Sequence, residues 1–369
     1  MSHFRARRIV IAADILRPLP DDPRRSATVA NTQWLHALLE WPLSRACALP
    51  VEMVTWGDRF DAAGFYRLLG TRPSLESWAA VHYQANLTAQ ADALLADAFA
   101  DAIVVGCELP PCVIASLGRA GIPVIDTIGT PLRFLDDILN AWRSTDEEVH
   151  RRLRAFEFDD ALAWQQAGLV RAKMAWSPSE PLPPDTALVL GQVGTDKALI
   201  HRGEHRLLGF GDFTESLFAV AERHRHVYYK PHPYEHAGDA SAAVVTRFKS
   251  FRRTQANFYG LLAQPNLACV YAISSGGVAE ARYFGKQGHW FYEPLYQAGQ
   301  VGKDAFGAWP PVAVDQEWLT PRFWSHVMEP LTSTRHDETA VLPRRAHRIR
   351  RSLNADWGFM AVDAVVADA

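Results

Sequence analysis

The stretch DAIVVGCELPPCVIASLGRAGIPVIDTIG, residues 101–129, decides the fold class. DAIVVGCE is an apolar run of strand length, PPCVIASLGRAG follows as a helix, and IPVIDTIG is a second apolar run. Neither strand alternates polar with apolar residues. Such strands, separated by helices, predict a parallel sheet covered on both faces. In sheets of that kind ligands collect at the carboxyl ends of the strands, so GCELPP and IDTIGTP fall where chemistry is expected.

Working outward, the same alternation holds on both sides. RRIVIAAD (7–14) and VEMVTW (51–56) read as strands, SATVANTQWLHALLEWPLSRA (26–46) and ANLTAQADALLADAF (85–99) as helices. The four prolines of WSPSEPLPPD (176–185) belong to neither a helix interior nor a central strand, so they mark a linker. A second series follows: strands in TALVLGQ, HVYYKPHP, LACVYAISS and GHWFYEP, and helices in FTESLFAVAERH, NFYGLLAQ and GGVAEARYFGK. The expectation is two doubly wound halves with a cleft between them. Residues 1–180 form the first domain, 181–330 the second, and 331–369 an Arg-rich helical tail that closes across both.

The chain has 369 residues, is 48% hydrophobic and 21% charged, and carries a net charge of −3. That balance suits a globular protein, and it gives no bulk positive field to attract nucleic acid. The absence of a long apolar run and the four scattered cysteines predict a reduced, cytoplasmic protein without a metal site. The basic tail reads first as a packed helix with a solvated face, and second as a peripheral contact with the inner membrane face.

Three loops carry candidate chemistry. In YYKPHPYE (228–235) two prolines stiffen the backbone around His232 and Lys230 at a strand's carboxyl end, a place suited to gripping an anion. In AISSGGVAE, Ser274, Ser275 and Gly276 open a helix, where hydroxyls and unpaired N–H groups suit a phosphate; an ordinary serine-capped turn is the alternative. In LVLGQVGTDKALI, Gln192 and Asp196 close the first strand of the second half, and Asp196 is either a helix N-cap or a nucleophile.

The order GQVGTD, YKPHP, SSGG resembles bacterial glycosyltransferases of GT-B architecture that use CMP-activated acid sugars, above all the retaining β-Kdo transferases of capsule and O-antigen assembly. (Kdo is 3-deoxy-D-manno-oct-2-ulosonic acid.) The segment IPVIDTIGTPLRFLDDILNAWRS is also similar to that family, and the likeness spans about residues 104–285. It implies an α/β GT-B fold of two Rossmann-like domains facing a central cleft. It implies CMP-Kdo as donor, held by Lys230, His232, Ser274 and Ser275 with Gln192 in the donor loop, and Asp196 as the residue that becomes covalently glycosylated. Glu280 is expected near the nucleotide ribose. SSGG departs from the bulkier residues often found after the serines, which bears on donor contacts. The acceptor, an oligosaccharide or a lipid-linked glycan, needs a carboxylate to handle its proton. Glu108 and then Asp126, at strand ends of the first half, are the candidates. No metal or other cofactor is expected, because Lys, His and backbone donors can stabilise a departing phosphate monoester. The rival readings are an inverting CMP-sialic acid transferase, a non-catalytic sugar-binding module, and one module of a larger polysaccharide-synthesis protein.

Overall fold

The structure is a computed structural model that describes residues 6–176, 181–234, 244, 245, 247, 248, 250–296, 300–335 and 342–353. The two large sheets contain eleven strands: β1 (Arg8–Ala13), β2 (Val51–Met53), β3 (Ala102–Cys107), β4 (Val124–Gly129), β5 (Asn140–Ser144), β6 (Thr186–Leu190), β7 (His226–Lys230), β8 (Phe251–Arg253), β9 (Leu267–Ala272), β10 (Gln287–Trp290) and β11 (Val312–Val314). The first sheet has the order β11-β5-β4-β3-β1-β2 and the second β8-β7-β6-β9-β10. The second is parallel throughout; in the first, β5 runs antiparallel to both β4 and β11.

Both sheets are covered on both faces. Along β1 and β3, Val10, Ala12 and Val104 join one apolar cluster while Ile9, Ile11, Ile103 and Val105 join another. In the second sheet Leu188, Leu190 and Val270 face one cluster, and Ala187, Val189 and Cys269 the other. Burial on both faces is why these strands read as continuous apolar runs.

The order of each sheet places a switch point between its first strand and a neighbour. In the first sheet the chain leaves β1 for β2 on one side and returns to β3 on the other, so the crevice lies beyond Ala13 and Cys107. In the second it lies beyond Leu190 and Ala272, between β6 and β9. The two crevices meet. Arg17 Nη2 donates to the Thr195 carbonyl at 2.8 Å, and Lys197 Nζ lies 2.7 Å from Glu108 Oε2.

The expected boundaries require two corrections. The helix Asp160–Met174 and the segment holding Leu132, Phe134, Leu135 and Leu139 contribute to the core of the second sheet, although they precede residue 181. The chain also rejoins the first sheet at β11, well before residue 331, and the helix Pro321–Met328 packs on that sheet through Phe323, Trp324, Val327 and Met328. The linker WSPSEPLPPD lies partly outside the described residues, as does the tail from residue 354 onward. In the short helix Arg348–Ser352 the basic face is not all solvated: Arg350 is 3% exposed and donates to the carbonyls of Leu135 and Arg133.

Candidate active site between the two sheets

The loop after β6 is the centre of the site. Gln192 is buried and clasps Ser274: its amide donates to Ser274 Oγ at 3.1 Å, and its carbonyl accepts the Ser274 N–H at 2.8 Å. Ser274 Oγ in turn donates to the Ala198 carbonyl at 2.7 Å. One amide and one hydroxyl thus tie β6 to β9 across the switch point. Asp196 then caps the short helical turn Lys197–Leu199, its Oδ1 accepting from the Ala198 N–H at 3.0 Å. Asp196 is thus a cap in the structure, and the next residue, Lys197, reaches the opposite sheet.

Glu108 stands at the carboxyl end of β3 with a positive φ of 58°, a conformation disfavoured for a residue with a side chain. Its N–H is tied to the Thr127 carbonyl at 2.8 Å, which holds the strained turn in place. Its side chain is about one-third exposed and paired with Lys197. Burial pushes the carboxyl up, but Lys197, followed by Arg133 and Arg17, outweighs that and holds it below the usual range.

Asp126 is placed otherwise than its strand-end position in the sequence suggested. It lies within β4, is fully buried, and accepts from Arg143 Nη2 at 2.8 Å, Arg143 Nε at 3.0 Å and the Leu109 N–H at 3.0 Å. It props the Glu108–Leu109 turn from below. Glu280 is also buried, and one of its oxygens accepts from the N–H groups of Arg133 at 2.6 Å and Phe134 at 3.1 Å and from the Tyr259 hydroxyl at 3.1 Å. Burial pushes its carboxyl up to about 7 despite those donors. Glu280 therefore joins the segment after β4 to the second sheet.

Gly276 packs against the same segment: a Cβ there would stand 2.8 Å from Pro131 Cβ. A Cβ on Gly277 would stand 2.6 Å from Leu190 Cδ1. The close approach that these glycines permit is of protein to protein. Ser275 is half-buried, its Oγ accepting from the Gly277 N–H at 3.3 Å. Lys230 ends β7 half-buried, and desolvation lowers its ammonium below the ordinary lysine value. His232 follows on the proline-framed turn; the Tyr234 N–H donates to its Nδ1 at 3.1 Å, which leaves Nε2 as the protonated nitrogen of the neutral ring.

The sequence reading missed four residues here. The Arg133 guanidinium lies in the field of Glu280, Glu108 and Asp196, a cation shared between the two sheets. Asp14 follows directly on β1, accepts from Trp78 Nε1 at 2.8 Å and the Leu16 N–H at 3.0 Å, and is pushed up to about 6 by burial. Arg17 pins the Asp196 loop through Thr195. His82 is 2% exposed and lines the cavity beside Glu108. Arg133 lay inside a segment already quoted for its likeness, but nothing local marked it as facing carboxylates from both halves.

A cavity of about 360 Å³ opens beside the Glu108–Lys197 pair, walled by residues of the first sheet's carboxyl edge and of the returning chain, including Tyr83, Arg143, Arg202, Phe306 and Trp309. Neither Lys230, His232 nor Ser275 lines it. Among the described residues no group of three or more His, Cys, Asp or Glu is placed to hold a metal ion, and no helix is long and apolar enough to cross a membrane.

No protein-family model and no curated protein matches the chain. Solved structures similar to it include two of KpsC from Thermosulfurimonas dismutans. Its beta-Kdo 2,7 transferase aligns at 15% identity over 66% of this chain and 91% of that one, with a TM-score of 0.34. Its beta-Kdo 2,4 transferase aligns at 17% identity over 61% and 78%, with a TM-score of 0.36. Likenesses this distant leave the site to be read from its own geometry.

Proposed function

We propose that the protein is a GT-B glycosyltransferase that moves Kdo from CMP-β-Kdo to a carbohydrate acceptor in bacterial surface polysaccharide synthesis, with retention and through a covalent Asp196 adduct. The observation that carries this reading is the meeting of the Asp196–Lys197 turn of one sheet with Glu108 of the other at 2.7 Å. Retention by double displacement requires a carboxylate nucleophile and a second group that handles the acceptor's proton. Asp196 precedes Lys197, the partner of Glu108, and Asp196 and Glu108 both act on the Arg133 guanidinium, which supports assigning the two roles to this pair.

In the first step an Asp196 oxygen attacks the anomeric carbon as the bond to the CMP phosphate oxygen breaks, and CMP leaves with the bonding pair. Lys230, at the carboxyl end of β7, is the cation assigned to the departing phosphate, and His232 offers its Nε2–H as a neutral donor beside it. Arg133, facing both Asp196 and Glu108, balances the charge of the sugar's own carboxylate. In the second step the acceptor hydroxyl attacks the same carbon from the face CMP vacated. Its proton passes to Glu108, and the Asp196 carboxylate is released.

Two measurements test the proposal. Thermal denaturation with CMP, CDP, UMP, UDP and GDP, with and without magnesium, should show stabilisation by CMP that is independent of the metal. Intact-mass analysis after exposure to CMP-Kdo should show a glycosyl adduct that is absent from Asp196→Asn, a variant that retains the N-cap. An inverted product without adduct would move the assignment to inverting transfer, and preference for UDP or GDP would end it.

A further inference from the structure

The cavity beside Glu108 has a chemistry of its own. We infer that it is the subsite for the sugar residue that receives the transferred group, and that this residue is a neutral pyranoside, not an acidic one. The inference rests on the proposed glycosyl transfer for its role, but not for its binding chemistry.

The walls are those of a carbohydrate site. Tyr83 and Phe306 stand with ring centroids 6.0 Å apart, and Trp309 is stacked on His150 at 5.3 Å and 12°. With Leu109, Pro111 and Ile128 they offer flat apolar surface to the C–H faces of a sugar ring. The volume, about 360 Å³, is near the lower end of the roughly 300–1,000 Å³ usual for ligand pockets, which suits a sugar ring with the start of its neighbour.

The charges decide between neutral and acidic sugars. Three cations line the cavity, and each already faces a carboxylate: Lys197 faces Glu108 at 2.7 Å, Arg143 faces Asp126 at 2.8 Å, and Arg202 faces Glu293 at 2.6 Å. Asp304 adds a fourth carboxylate, 3.9 Å from Arg143. A sugar carboxylate entering here would have to displace one of these partners or stand unmatched. A hydroxyl, which both donates and accepts, can bridge an ion pair without breaking it.

Two further groups lack partners among the described residues: His82 Nδ1 and Trp309 Nε1, both buried atoms of cavity-lining side chains. Burial, with Lys197, Arg143 and Arg17 nearby, holds the His82 imidazole well below its ordinary value, so the ring is neutral. A neutral imidazole and an indole N–H are partners for hydroxyls.

The test uses matched probes on the full chain. Saturation-transfer NMR is recorded with the methyl glycosides of glucose, galactose and mannose, each beside the methyl glycoside of its uronic acid, and with methyl rhamnoside. At least one neutral glycoside should receive saturation and its uronic counterpart should bind roughly tenfold more weakly, the discrimination expected from one unmatched charge. Trp309→Leu and Phe306→Leu, two half-exposed positions, should each abolish the neutral signal while the thermal transition stays in place. Equal or tighter binding of the uronic acids overturns the neutral assignment. Saturation of no probe, or a signal unchanged in both variants, overturns the subsite. Failure of the transferase reading is separate: it would appear as absent CMP stabilisation and absent adduct while the glycoside still binds.

Discussion

The carboxyl ends of the two sheets solve the same topological problem with different chemistry. Beyond β3 the first sheet ends in ion pairs, Glu108 with Lys197 and Asp126 with Arg143, around an open cavity. Beyond β6 and β9 the second ends in neutral hydrogen bonds, the Gln192–Ser274 clasp and the Ser274 bond to Ala198. The carboxylates record the difference. Glu108, paired with Lys197, is held below the usual range, whereas at Glu280 burial outweighs its donors and the nearby Arg133 and pushes the carboxyl up to about 7. The charged end holds ion pairs beside a cavity, and the neutral end ties β6 to β9.

The largest effects should come from disturbing the charged end. Glu108→Gln should lower the transfer rate by about 10²–10⁴-fold, the usual contribution of a positioned acid or base, with little change in thermal stability. Lys197→Met sharpens the point. With its strongest cationic partner gone, burial dominates at Glu108 and its carboxyl rises. The acidic limb of the pH–rate profile should then move up by roughly 1–3 units, a shift that a merely structural lysine would not produce.

Next comes the pH dependence of stability, to which Glu280 contributes beside Asp14. The Glu280 carboxyl is near 7 folded against an ordinary 4.5, so between those values the folded chain holds a proton that the unfolded chain has released. The contribution is therefore greatest at low pH and is lost as pH rises from about 4.5 to about 7. Glu280→Gln retains an acceptor for Arg133, Phe134 and Tyr259 and cannot ionise. It should remove from this window a slope that amounts, for the wild type, to on the order of 3 kcal/mol. Urea unfolding of both proteins at a series of pH values measures it. Parallel curves would show that Glu280 does not titrate there.

At the neutral end, Gln192→Leu leaves the buried Ser274 N–H without its partner and should destabilise by about 1–3 kcal/mol at every pH. A pH-dependent loss would show that the clasp is coupled to the charged end and that the two regions are not separate.

What was legible in the sequence follows from the same contrast. Doubly covered parallel strands advertise themselves as apolar runs, so β1, β3, β4, β6, β7 and β9 were readable. β5 and β11 were not: the five residues of β5 include Asn140, Arg143 and Ser144, and β11 is a three-residue edge strand that pairs with β5 across more than 160 residues of chain. In the site, Asp196 and Glu108 follow directly from strand ends. Arg133, Arg17 and His82 become site residues only when the sheets meet, and no local pattern encodes that meeting. Asp126 shows the converse error: a carboxylate near a strand end need not face the cleft, and here Arg143, on the neighbouring strand, draws it into the core.

Gly276 offers the smallest effect and a direct test of how the two ends are joined. A glycine after two serines suggests room for a phosphate, and the structure fills that room with Pro131. In Gly276→Ala the new methyl would lie 2.8 Å from Pro131 Cβ and 3.1 Å from its Cα, so the segment after β4 must shift. The neighbour is half-buried, and the expected loss is at the lower end of overpacking, about 1 kcal/mol. CMP stabilisation should survive in that variant, because the glycine serves contact between the sheets. Loss of CMP stabilisation with an unchanged thermal transition would instead return Gly276 to the phosphate, and the neutral end would then be part of the chemistry as well as its frame.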